Sequence, residues 1–234
     1  MVEETKIVNK TKGRRQPKRF KKAITKKGQE FPNVKLFNKW DLNIEVFDPG
    51  LKPYINLRPC IIPRTAGINQ KRRFHKSRMN VVERLILHLL CPGHTGKKHK
   101  ITSGHLGGSY YKATKIMENA LDIIAKEMEK ETKQPVNSLE IFVRAIENAS
   151  VREEITSFRV GSIISRSAVV TAPQRRIDKT LRYFAQGAYR NSFNKKKSIE
   201  RAVAEEIIAA YKNMPECIAI KEKERLEREA AGAR

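Results

Sequence analysis

The stretch Ala172-Pro-Gln-Arg-Arg-Ile-Asp-Lys-Thr-Leu-Arg-Tyr-Phe-Ala-Gln-Gly-Ala-Tyr-Arg190 decides how this chain is read. Proline suits the first turn of a helix, because the N–H it lacks would have no intrahelical partner there. A helix is therefore predicted from Pro173 to about Phe193. At about 100° per residue, Ile177, Leu181, Phe184 and Ala188 fall on one side, and Arg175, Lys179, Arg182, Gln186 and Arg190 on the other. Asp178 lies off the centre of that basic row, which reads as acid-free. A solvated helix face normally mixes signs to gain i,i+4 pairs, so a face of one sign calls for an external anion.

Working outward, the residues before this helix change character. Thr156–Val170 is rich in β-branched side chains (Val160, Ile163, Ile164, Val169, Val170), contains Gly161, and places Arg159 and Arg166 among short polar residues. It reads as a β-hairpin projecting between helices. Further upstream the period returns to three-four. Val81, Val82, Leu85, Ile86, Leu89 and Leu90 form an amphipathic helix after Asn80, stopped by Pro92-Gly93. Lys112 to about Thr132 is helical through Met117, Leu121, Ile124 and Met128. Asn137–Ser150 has Asn137 as its cap and Glu140 three residues on. Downstream, Ser198–Asn213 turns Ile199, Val203 and Ile207 inward. Cys217–Ala231 closes the chain with Lys221 to Glu227 alternating in sign, a self-paired and exposed run. The fold class expected is mainly α, with a β-hairpin.

The chain has 234 residues and a formal net charge of +24. Its positive charge is patched. Lys10–Lys27 holds ten bases and no acid, Lys71–Arg78 five and none, Lys97–Lys100 three and none, and Ile155–Ile199 ten against Asp178 alone. These segments hold more than the whole net charge, so the remainder is slightly acidic. Such patches repel themselves unless a polyanion neutralises them, and nucleic acid is the simplest one. A membrane surface is disfavoured, since the apolar runs are too short to span and no basic helix face is paired with exposed Trp or Phe. Met1-Val-Glu-Glu lacks the apolar stretch of a secretory signal. Cys60, Cys91 and Cys217 are odd in number and unpatterned, which fits a reducing compartment rather than a disulfide framework.

Three regions follow. Residues 1–30 read as an unstructured basic arm with Arg14, Arg15, Lys18 and Arg19 placed to meet phosphates. Residues 31–79 are extended and punctuated by proline, with Trp40, Phe47, Tyr54 and Leu57 pinning them to a core. Residues 80–234 form the helical domain with its hairpin at about 156–170.

Catalytic patterns do not hold up. Gly93-His-Thr-Gly-Lys-Lys98 has two residues between its glycines instead of four, no Ser or Thr after the lysine, and a helix before it, so it is no nucleotide phosphate loop. A basic turn contacting RNA phosphates is the better reading. Cys91, His94, His99 and His105 match no zinc-finger spacing. Glu153-Glu154 reads as a solvated helix-end pair rather than a metal-dependent nuclease centre. Neither a Gly-x-Ser-x-Gly elbow nor a His-Glu-x-x-His pair occurs. The chain reads as a binder, with no enzymatic activity, cofactor or metal.

Nine motifs in order carry a family resemblance: Lys35-Leu-Phe-Asn-Lys-Trp40, Lys71-Arg-Arg-Phe74, Val82-Glu-Arg-Leu85, Gly96-Lys-Lys98, Arg144-Ala-Ile-Glu-Asn148, Arg152-Glu-Glu154, Ala172-Pro-Gln-Arg-Arg176, Ala204-Glu-Glu-Ile207 and Ala219-Ile-Lys-Glu-Lys223. Over about Val34–Arg234 the chain resembles the universal small-subunit ribosomal protein seven family, in its archaeal and eukaryotic cytosolic form, which eukaryotic naming calls protein five. The resemblance implies a six-helix bundle with a protruding hairpin. It also implies a place on the cytoplasmic ribosome, where the family binds the 3′ major domain of small-subunit rRNA, organises assembly of the head, touches neighbouring head and platform proteins, and borders the mRNA exit and the exit-site tRNA.

On the family pattern Arg72, Arg73, Lys97, Lys98, Arg175 and Arg176 meet rRNA. The basic patches add Lys76, Arg78, Arg159, Lys179, Arg182 and Arg190. The resemblance further implies that the hairpin, with Gly161 and Arg166, faces tRNA or mRNA. Two departures stand out: Arg159-Val-Gly-Ser162 lacks the second glycine common in relatives, and Ile101–Tyr110 reads as an insertion. The competing reading from another class is a DNA-compacting architectural protein, which would use the same charges on duplex DNA.

Overall fold

The computed structural model describes residues 34–68, 70–91 and 104–233. Among these residues it contains six α-helices and one two-stranded antiparallel sheet: α1 (Val81–Leu89), α2 (Tyr110–Thr132), α3 (Ser138–Ala149), β1 (Glu153–Val160), β2 (Ile163–Val170), α4 (Pro173–Ser192), α5 (Ile199–Tyr211) and α6 (Ile218–Ala231). Short 3₁₀ turns cover His75–Arg78 and Gly104–Leu106. The fold is mainly α, as expected. The basic arm lies outside the described residues.

Helix starts follow from their caps. The side chains of Asn80, Asn137 and Ser198 accept hydrogen bonds from the backbone N–H groups of Val82, Leu139 and Arg201, satisfying donors that a helix start leaves open. α2 begins two residues before the predicted Lys112. The core is contributed by every helix: Val82, Leu85 and Ile86 from α1, Met117, Leu121 and Ile124 from α2, Leu139, Phe142 and Ile146 from α3, Ile177, Leu181 and Phe184 from α4, Val203 and Ile207 from α5, and Ala219 and Ile220 from α6 are all buried. α5 packs against α2, α3 and α4.

The Pro-punctuated segment is pinned to this core, by a partly different set of residues from the one predicted. Trp40 is buried and Tyr54 and Leu57 are half-buried, but Phe47 is 68% exposed. Leu36, Leu42, Val46, Leu51 and Ile55 supply the rest of the anchor. The backbone explains Phe47. Its N–H donates to Glu147 Oε1 at 2.6 Å, as does the N–H of Asp48 at 3.0 Å, and Val46 rather than Phe47 turns inward. The exposed ring is covered by the Arg144 guanidinium.

The hairpin is longer at its base than the expected 156–170, because pairing begins at Glu153 opposite Val170 and runs to Val160 opposite Ile163. Its two-residue turn is Gly161-Ser162, of which only Gly161 takes a positive φ (62°). A turn with glycine at its first central position needs no second one, so the missing glycine is accommodated. The base is held by α6, where Glu227 Oε1 accepts from the Arg152 N–H at 3.0 Å. Toward the tip, Phe158, Ile163 and Ile164 are exposed.

Candidate nucleic-acid interface

The 3₁₀ turn at His75–Arg78 and the outer face of α4 form the two walls of an open groove of about 570 Å³, lined by Arg73, Phe74, Lys76, Arg175, Lys179 and Arg182 among others. α4 reaches this position because its apolar side is fixed against α5 and α1, which turns the opposite side outward. The turn reaches it through its own anchors. Asn56 Nδ2 donates to the Arg78 carbonyl at 2.5 Å, and Lys76 Nζ reaches Asp178 Oδ2 at 3.1 Å.

Two carboxylates organise the bases. Asp178 accepts from the buried Arg84 of α1 at 2.8 Å as well as from Lys76. Burial alone would raise its carboxyl, but the hydrogen bonds and charges of Arg84 and Lys76 outweigh that and hold it below the usual range. Arg84 also donates to the Tyr54 carbonyl at 3.3 Å, tying α1, α4 and the Pro-punctuated segment together. Glu154 of β1 accepts from Arg175 Nε at 2.8 Å and from Lys179 Nζ. Burial again pushes its carboxyl up, and the two bases bring it down below its ordinary value.

This corrects two expectations. The basic row of α4 is not acid-free in space, because a strand puts Glu154 against it. Glu153-Glu154 is not a solvated helix-end pair either, since both residues belong to β1 and Glu154 is ion-paired. With Lys179 only 15% exposed against Glu154, the outward positive charge in the groove comes chiefly from Arg73, Arg175 and Arg182, all exposed. Among the described residues Arg182 has no acidic partner within ion-pair distance.

The other predicted bases sit elsewhere. Arg176 faces inward, 13% exposed, with Nη2 on Asp48 Oδ2 at 3.0 Å, where it ties α4 to the Pro-punctuated segment. Arg190 is exposed at the far end of α4, outside the groove. Arg72 and Arg78 are exposed beside it. Arg159 donates from Nε to the Gly161 carbonyl at 2.9 Å and so braces the hairpin turn. The register Arg159 opposite Ile164 and Ser157 opposite Arg166 puts both arginines on one face of the hairpin. Lys97, Lys98, Arg14, Arg15, Lys18, Arg19, His94 and His99 lie outside the described residues. Cys91 is exposed, and the described residues hold no group of three His, Cys, Asp or Glu side chains arranged to grip a metal ion.

A sequence model described as ribosomal protein S7p/S5e matches residues 54–234, which takes in both walls of the groove and the hairpin. The chain belongs to the S7p/S5e family. Relatives named small ribosomal subunit protein uS7 include one from Nanoarchaeum equitans, 47% identical over 202 residues that cover 86% of this chain and 99% of the relative. Another, from Methanococcus vannielii, is 40% identical over 212 residues, 89% of this chain and all of the relative. The family is one of structural, non-enzymatic proteins, and no helix among the described residues of this S7p/S5e chain is long and apolar enough to cross a membrane.

Sequence reasoning missed Phe74, Arg84 and Glu154 in this S7p/S5e site. The one available signal was the aromatic ring inside the basic run Lys71-Arg-Arg-Phe-His-Lys76. Arg84 sits in an apolar helix and Glu154 in a strand, so only the tertiary structure brings them to α4.

Proposed function

We propose that this chain is a structural component of the small ribosomal subunit that binds the 3′ major domain of small-subunit rRNA, helps organise the head, and borders the mRNA exit and the exit-site tRNA on cytoplasmic ribosomes. The observation that carries the reading is the groove between the 3₁₀ turn and α4, where outward arginines outnumber the carboxylates that organise them. The names of the uS7 relatives support the ribosomal setting.

In this reading Arg72, Arg73, Lys76, Arg78, Arg175, Arg182 and Arg190 engage phosphates, and Arg176 and Lys179 contribute by holding α4 against Asp48 and Glu154. Lys97, Lys98 and the arm bases Arg14, Arg15, Lys18 and Arg19 engage phosphates as well. Gly161 and Arg166 at the hairpin, with Arg159 bracing the turn, face tRNA and mRNA, and the exposed hairpin side chains meet neighbouring proteins. Phosphate contacts fix register, while specificity comes from the shape of a folded RNA, because the deep groove of A-form RNA hides its base edges.

Ultraviolet crosslinking in cells, with sequencing of the attached RNA, tests this. A sharp peak in the 3′ major domain of the small-subunit rRNA is expected. A diffuse RNA signal overturns the reading and leaves a basic helical binder, and a signal mostly on DNA favours the DNA-compacting alternative.

A further inference from the structure

We propose that Phe74 is a stacking platform for one unpaired RNA base, set inside the phosphate-binding groove so that a bulged or looped nucleotide is read where its backbone is gripped. The inference rests on the RNA-binding reading above and adds to it a contact in the groove that would not depend on charge.

Three observations converge on this residue. Phe74 is 56% exposed although it carries a large apolar ring, and it lines the same groove as Arg73, Lys76, Arg175 and Arg182. Its backbone is left-handed, with φ 55° and ψ 32°, at the start of the 3₁₀ turn. Glycine or asparagine occupies that conformation readily, and a bulky aromatic residue only against a steric penalty, so neither burial nor backbone preference accounts for phenylalanine here. Finally, the Arg73 guanidinium lies over the ring, 5.2 Å from its centroid, so one face is already backed by a cation.

The chemistry selects the ligand. A ring open on one side and ringed by bases fits a flat π-system that carries negative charge close by, which is a nucleotide with its base out of the stack. The other exposed aromatic rings lack this setting. Phe47, Tyr111, Phe158 and Tyr211 are exposed too, and Arg144 and Lys115 lie over the rings of Phe47 and Tyr111, but none of the four lines the basic groove. A paired duplex cannot use Phe74, because its bases face one another, whereas a bulge or loop can.

The test compares Phe74→Asn, Phe74→Tyr and the unaltered chain for binding to a transcript of the 3′ major domain and to a fully paired RNA duplex of similar length, over a salt series. Phe74→Asn places a residue that favours the left-handed backbone, so its melting temperature should stay within about 3 °C of the original. Its affinity for the transcript should fall about tenfold with an unchanged salt slope, since no phosphate contact is lost. Phe74→Tyr should keep the affinity, and neither variant should alter duplex binding. Unchanged transcript affinity in Phe74→Asn, or an equal loss on the duplex, overturns the platform while leaving the RNA-binding reading intact. Failure of the unaltered chain to bind the transcript with a steep salt dependence removes both.

Discussion

Helices α4 and α6 are both densely charged, and they dispose of that charge in opposite ways. α6 balances itself: Arg225 bonds Glu222 at 2.7 Å and Glu229 at 2.6 Å, partners three and four residues away on the same helix. α4 has no such local partners. Its bases borrow Glu154 from a strand 21 residues upstream, its one acid is taken by Lys76 and Arg84 from other elements, and Arg73 and Arg182 are left facing outward in the groove. The charge density of a helix therefore says little about its partner. What separates a solvated helix from an interface is whether the counter-charge lies within one helical turn, because pairs at that spacing form whenever the helix does.

The strongest way to break this comparison is to reverse the unmatched charge. Arg73→Glu combined with Arg182→Glu should lower affinity for the 3′ major-domain transcript by about 30-fold or more and flatten the salt slope by about two, with helicity by circular dichroism unchanged. Both side chains are exposed and neither forms an ion pair with a carboxylate of the described residues, so the fold does not depend on them. Lys179 is unsuitable for this test, since reversing it would set a second carboxylate against that of Glu154. An unchanged affinity would show that the groove is not the interface.

How much of this was legible beforehand depended on distance along the chain. The asparagine and serine caps, the three-four periods and the apolar side of α4 are local features, and each led to an element within a few residues of where it stands. Phe47 was misplaced because its exposure follows from Glu147, a hundred residues away, taking the N–H groups of Phe47 and Asp48. The basic row of α4 looked acid-free because a helical projection contains no strand, and Glu154 arrives from one. Phe74 was visible only as an aromatic letter in a basic run. Its left-handed backbone and exposure are properties of the folded turn.

The second prediction concerns the inner side of α4, which turns out to control the start of α6. Helix propensity alone makes Gly187→Ala favourable by about 1 kcal/mol. In place, the added methyl carbon would sit 2.7 Å from the carboxyl carbon of Glu206. Glu206 is buried and held by Asn191 Nδ2 at 2.9 Å and by the Ile218 N–H at 3.2 Å. That last bond caps the first residue of α6, which has no cap from its own Cys217 side chain, and puts a carboxylate at the positive end of the helix. Burial raises the Glu206 carboxyl and drives the neighbouring Cys217 thiol up to about 12, so the pair has no solvent into which to retreat. Gly187→Ala should thus destabilise the protein by about 2 kcal/mol in urea unfolding, the reverse of the propensity sign. Stabilisation would mean that Glu206 moves freely and that α6 does not depend on this cap.

The smallest effect sharpens the comparison most. Arg225→Ala removes both local pairs of α6 at a side chain that is half exposed. Exposed pairs at this spacing are each worth about 0.3–0.5 kcal/mol and are screened by salt, so the loss should stay below about 1 kcal/mol at low ionic strength and shrink further in 1 M NaCl. The affinity for the RNA transcript should change by less than about twofold, because a guanidinium already neutralised by two carboxylates on its own helix has little charge to offer a phosphate. If Arg225→Ala weakened RNA binding as much as reversal at Arg73 and Arg182, self-pairing would not distinguish the two helices, and α6 would have to be counted as part of the interface.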